Sequence, residues 1–136
     1  MDLPEMRRRV QEARVARLAS IDPAGRPHLV PVVFALSGDE VLLAVDEKPK
    51  RTRDLQRLAN IRANPMVAVL VDHYEEDWSR LWWVRIRGSA RVVEEGADLE
   101  RAAAAVAEKY AQYGSKPPEG PVIIVTAEEW LGWAAG

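Results

Sequence analysis

Hydrophobic positions along the chain change period several times, and each change marks an element. Leu3, Met6, Val10 and Ala13 share one helical face behind Asp2, a capping residue with Glu5 three positions on, so the chain opens with a short amphipathic helix. From residue 15 the spacing becomes that of strands: 15–21, a turn at Asp22-Pro23-Ala24-Gly25, a second strand over 26–36, a turn at Ser37-Gly38-Asp39, and a third over 41–45. These read as an antiparallel meander. The second strand is apolar on both faces around 30–34, which predicts one face on the core and the other on a partner or ligand. Pro27 and Pro31 cannot donate to a ladder, so this strand belongs at an edge or carries a bulge. Residues 50–62 return to a helical period, 66–73 form a fourth strand, and 81–93 a fifth. In the fifth, Trp82, Val84, Ile86, Ala90 and Val92 alternate with Arg85, Arg87, Ser89 and Arg91. A helix from Asp98 buries Leu99, Ala102, Ala103, Val106 and Tyr110. A loop over 114–120 leads to a strand over 122–126. Strands outnumber helices, and a helix crosses between the third and fourth strands. The pattern predicts a mainly β fold, a small closed or partly open barrel with peripheral helices, over one domain spanning 1–136.

With 136 residues and 15.2 kDa, a folded monomer should expose about 7,100 Å². The absence of Cys excludes disulfides, thiolate nucleophiles and cysteine-ligated metals, and His28 and His73 are too few for a three-histidine site. A formal charge of −2 argues against a nucleic-acid partner along the whole surface, so any anion site is local. No apolar run reaches the roughly 18 residues of a membrane span, and no signal-like segment opens the chain, so a cytoplasmic protein with no membrane partner is expected.

Two segments carry candidate chemistry. Around the second helix, Lys48, Lys50, Arg51, Arg53 and Arg57 supply five cations, and at 100° per residue Lys50, Arg53 and Arg57 form one stripe while Leu55, Leu58 and Ala59 form another. Thr52 is placed to cap this helix, whose first-turn N–H groups would add partial positive charge. The stripe suits a phosphate; a merely solvated polar face is the alternative. The triplet Arg7-Arg8-Arg9 is read as a solvated face. The second segment holds Asp72, His73, Glu75, Glu76 and Asp77, whose spacing matches no metal-ligand pattern, followed by Trp78, Trp82 and Trp83. So many aromatic rings either pack a core or offer a platform for a flat ligand. Alternation assigns Trp82 to the core and leaves Trp83 as the ligand candidate. No serine stands in a nucleophile elbow, and neither a P-loop nor a G-x-G-x-x-G turn is present. A phosphate grip with aromatics and no acid–base machinery fits a protein whose chemistry comes from a cofactor.

The order of these elements, with Lys48-Pro49-Lys50-Arg51-Thr52, Arg57-Leu58-Ala59-Asn60-Ile61-Arg62-Ala63-Asn64-Pro65 and Val67-Ala68-Val69-Leu70-Val71, resembles the pyridoxamine phosphate oxidase-like split-barrel flavin and deazaflavin oxidoreductases. Asp72-His73-Tyr74, Asp77-Trp78 and Leu81-Trp82-Trp83-Val84-Arg85 are similar to the branch that uses coenzyme F420, and Gly88-Ser89-Ala90 to the family's Gly-x-Ala turn within a long strand. The resemblance implies an FMN-binding split β-barrel of six or seven mostly antiparallel strands. It further implies a homodimer with cofactor sites at the interface, and hydride transfer between reduced F420 and a small electron-poor acceptor. Alternatives are FMN as cofactor on the same fold, or a non-catalytic flavin, F420 or haem binder. The implied cofactor contacts are Lys48, Lys50, Arg51, Thr52, Arg53 and Arg57 for the anionic tail, Pro31, Val32 and Val33 along the ring, and Trp78 and Trp83 as aromatic neighbours. The family's phosphate-gripping Lys of a Ser-x-Lys pattern finds its nearest match in Arg57, and the Ser is absent, which places the weight on Lys48, Lys50 and Arg53.

Overall fold

The computed structural model describes residues 1–45 and 51–136, with the backbone alone for 51–55. Helix α1 (Leu3–Glu12) starts as its sequence directs: Asp2 Oδ1 accepts the Glu5 N–H at 3.0 Å, and Met6 and Val10 are buried. Strands β1 (Ala16–Ile21) and β2 (Pro27–Val32) form a hairpin closed by Asp22, whose Oδ1 accepts the N–H groups of Ala24 and Arg26 at 2.9 Å each. Gly25 supplies the positive φ (81°) that this tight turn requires.

Strands β3 (Phe34–Ser37) and β4 (Glu40–Ala44) make a second hairpin, α2 (Arg51–Ala63) crosses over, and β5 (Met66–His73), β6 (Trp82–Val93), α3 (Ala97–Lys109) and β7 (Val122–Ala134) complete the chain. The seven strands form one antiparallel sheet in the order β2-β1-β5-β6-β7-β4-β3. The expected meander is therefore corrected. Residues 26–36 are two strands broken at Val33, and these lie at opposite edges of the sheet. Since a single residue separates them, the sheet must curl until its edges approach each other, which makes the barrel. The sequence hides the break because Val30, Val32 and Phe34 all pack on the barrel core. Pro27 and Pro31 do sit on an edge strand.

The last strand is longer than its pattern suggested. At Arg87/Gly88 the β6–β7 register shifts: Arg87 faces Glu129 and Gly88 faces Ala127, so Glu128 is the extra residue of a bulge. The bulge resets alternation, so Trp130 packs toward the core while Leu131 and Trp133 turn outward. Gly88 is required there. A Cβ on it would lie 2.1 Å from the Thr126 carbonyl oxygen.

One half of the outer sheet surface is covered. Helix α3 lays Ala102 against Leu42, Val122 and Ile124, and Val106 and Tyr110 against Ala35 and Ala44, so these strands are buried on both faces. Tyr110 also clamps the crossover, its OH accepting the buried Phe34 N–H at 3.1 Å and donating to the Arg14 carbonyl at 3.0 Å. Among the described residues no helix covers the other half, over β2, β1, β5, β6 and the end of β7. Leu29, Met66, Leu70, Leu131 and Trp133 are exposed there. No described helix is long and apolar enough to cross a membrane.

Candidate functional site

On the uncovered face a groove of about 500 Å³ is floored by Ala19, Leu29, Ala68 and Leu70 and walled by Trp83. Its polar groups are few. Arg17 Nη1 meets Asp72 Oδ1 at 2.9 Å, and the Arg85 guanidinium lies 5.9 Å from the centre of the Trp83 ring. The Arg85 Nε–H is buried with no acceptor, although such groups are normally paired. Strand alternation builds the groove: Arg17 faces Leu70, Leu70 faces Arg85, and Asp72 faces Trp83 across the ladders. Trp133 stands opposite Trp83 and Leu131 opposite Arg85. A flat ligand fits an apolar floor with an aromatic wall, and Arg85 offers a donor to a polar or anionic edge of it.

The sequence-derived residues divide. Trp83 lies on the groove, and Trp82 packs on the core, as alternation assigned them. Pro31 borders the groove as the register partner of Arg17. Val32 is buried in the barrel core and does not join Pro31 on the outer face; Val33, at the break between β2 and β3, is on the outer side but packs against the α3 cluster. Trp78 is exposed in a 3₁₀ turn (Trp78–Arg80) away from the groove, with its Nε1–H directed at the Tyr74 hydroxyl at 3.4 Å.

Lys48 and Lys50 lie outside the described residues. Arg51, Thr52 and Arg53 are helical, so Thr52 sits inside α2 and is not its cap. Arg57 is half-buried and engaged, while Leu58 and Ile61 reach the core. Ala59 is exposed; the inward side of α2 is completed by Asn60, which donates to Ser20 Oγ at 3.2 Å and accepts from Gln56 Nε2 at 2.7 Å.

The acidic stretch after β5 is consumed by its own turn. Glu75 Oε2 holds His73 Nε2 at 2.5 Å and Arg80 Nε at 3.1 Å, and these contacts keep its carboxyl below the usual range. Asp77 accepts the hydroxyl and backbone N–H of Ser79, which lower its pKa in the same way. In α1, Arg7 binds the Gly38 carbonyl and Asp39, Arg8 pairs with Glu12, and Arg9 with Glu5.

Sequence reasoning missed Leu29, Leu70, Leu131, Trp133, Arg17 and Arg85. The signal for two of them was present: Leu70 falls on the same parity as Asp72, and Arg85 on that of Trp83. For Leu131 and Trp133 the bulge erased it.

The family model described as pyridoxamine 5′-phosphate oxidase matches residues 3–134. No curated protein matches the sequence. Among solved structures, a conserved hypothetical protein from Mycobacterium tuberculosis is 26% identical, with a TM-score of 0.78 over 98% of this chain and 85% of that one. An FAD-binding protein from Mycobacterium smegmatis is 21% identical (TM-score 0.67, 98% and 95% covered), and a haem storage protein from Vibrio cholerae is 20% identical (0.69, 98% and 94%).

Proposed function

This chain belongs to the pyridoxamine 5′-phosphate oxidase family, and we propose that within it the protein is an F420-dependent oxidoreductase acting as a homodimer on a small electron-poor acceptor. The observation that carries this reading is the uncovered outer face, where an apolar groove with an aromatic wall and an unpaired arginine donor stands ready for a flat, anionic cofactor. Trp83, Leu29 and Leu70 would contact the ring, Arg85 and Arg17 its polar edge, and the backbone at Pro31, Val32 and Val33 would border it. Lys48, Lys50, Arg51, Arg53 and Arg57, with Thr52, would hold the anionic tail. F420 supplies a two-electron hydride donor, so the protein needs only to orient the ring and exclude water. A second copy laid over the exposed Leu29, Leu70, Leu131 and Trp133 would provide that exclusion. A carrier role without catalysis is the second reading, favoured by the lack of an acid–base pair in the groove and by neighbours described as FAD-binding and haem storage proteins.

Titration of the purified protein with F420 and with FMN, followed by quenching of cofactor and tryptophan fluorescence, separates these readings. F420 is expected to bind more tightly, and the loaded protein to reduce a nitroaromatic acceptor. FMN that co-purifies and resists displacement by F420 would replace the deazaflavin with a flavin. Tight F420 binding without turnover of any acceptor would leave the carrier.

A further inference from the structure

On the opposite side of the same sheet end lies a second cavity, of about 460 Å³, between α1, the end of β5, the 3₁₀ turn and the start of β6. Its wall is flat. The His73 and Trp82 rings are nearly parallel, 18° apart with centroids at 6.3 Å, and the Arg9 guanidinium lies 5.1 Å from the centre of the Trp82 ring. Its cations are incompletely used. Arg9 gives one Nη to Glu5 at 3.1 Å, yet its Nε–H is buried with no acceptor. Arg80 meets Glu75 through Nε alone at 3.1 Å and is otherwise exposed. Glu75 is the acidic residue of the lining, and its Oε2 already accepts from both His73 and Arg80. On the same turn Tyr74 and Trp78 are 63% and 66% exposed, an unusual investment of aromatic surface in solvent.

We propose that this cavity is a binding site for a planar aromatic carboxylate, its ring lying along the His73–Trp82 wall and its carboxylate bridging Arg9 and Arg80. A guanidinium pair matches a carboxylate by shape as well as charge, and a cavity of this size holds a one- or two-ring ligand. The site is separate from the outer groove, since Trp82 and Trp83 point to opposite faces of the sheet.

The probe is 2-naphthoate, with 2-naphthamide as its neutral counterpart, observed through the tryptophan indole N–H resonances assigned by single Trp→Phe replacements at the other four positions. The carboxylate should shift the Trp82 signal and leave Trp83 and Trp133 unchanged. It should bind about tenfold or more tightly than the amide, and Arg80→Gln, at an exposed position, should remove most of that preference. Equal binding of acid and amide, no binding at millimolar concentration, or shifts centred on Trp83 and Trp133 would each overturn the assignment.

Discussion

Tyr110 illustrates how much one side chain can fix. Its hydroxyl satisfies the buried Phe34 N–H at the point where the chain passes from one sheet edge to the other. Tyr110→Phe leaves that donor without a partner, so a loss of about 1–3 kcal/mol is expected in denaturant unfolding. Beside it, Lys109 Nζ sits 3.7 Å from the centre of the Phe34 ring with no hydrogen-bond acceptor. Burial, and then the charge of Arg14, lowers its pKa to about 8. An unfolded lysine titrates near 10.4, so between about pH 8 and that value the unfolded chain binds a proton the native protein has released. Stability contributed by this site therefore rises with pH across that window and is least below it. Lys109→Met should flatten the rise when unfolding midpoints are compared near neutral pH and near pH 9.5; an unchanged slope would assign it to other groups. Leu58 is buried, and Leu58→Ala should cost about 2–5 kcal/mol. Lys50→Ala and Arg53→Ala, if those cations hold a phosphodiester, should instead weaken F420 affinity about tenfold to a hundredfold with little change in melting temperature. Variants that bind like the parent would make the stripe a solvated helix face.

At the scale of elements, the bulge between β6 and β7 explains both a requirement and a misreading. Gly88→Ala would drive a Cβ into the Thr126 backbone, which cannot yield, whereas Gly132→Ala meets the flexible Met6 side chain at 2.7 Å. The first should exceed the about 1–3 kcal/mol of ordinary overpacking and the second should stay within it, as paired thermal melts would show. The same bulge restarts the inward–outward alternation at Glu129, so a period-2 reading ends the strand at Thr126 and loses Trp130 and Trp133. Elsewhere the pattern was legible because one rule governed each stretch: the Asp2 cap, the Asp22 turn and the alternation of β6 all appear where local chemistry places them. The break at Val33 was not legible, because residues on both sides of it face the same core and nothing in an apolar run distinguishes one strand from two. Trp83 could be chosen from alternation alone; its groove could not, since that requires knowing that β1, β5 and β6 are neighbours.

For the molecule as a whole, surface is the telling quantity. The sheet face left bare by α3 carries much of the exposed apolar surface, including Leu29 at 66% and Trp133 at 47% exposure. A stable interface needs about 800 Å² from each partner, and a pair of such faces would bring two grooves under cover together. The most direct measurement is sedimentation equilibrium combined with F420 titration for the parent and for Leu131→Glu, a substitution at an exposed site on that face. The parent is expected to be a dimer that binds F420, and the variant a folded monomer that binds it poorly. A parent that is monomeric at micromolar concentration, or a monomeric variant that binds F420 as well as the parent does, would contradict this expectation.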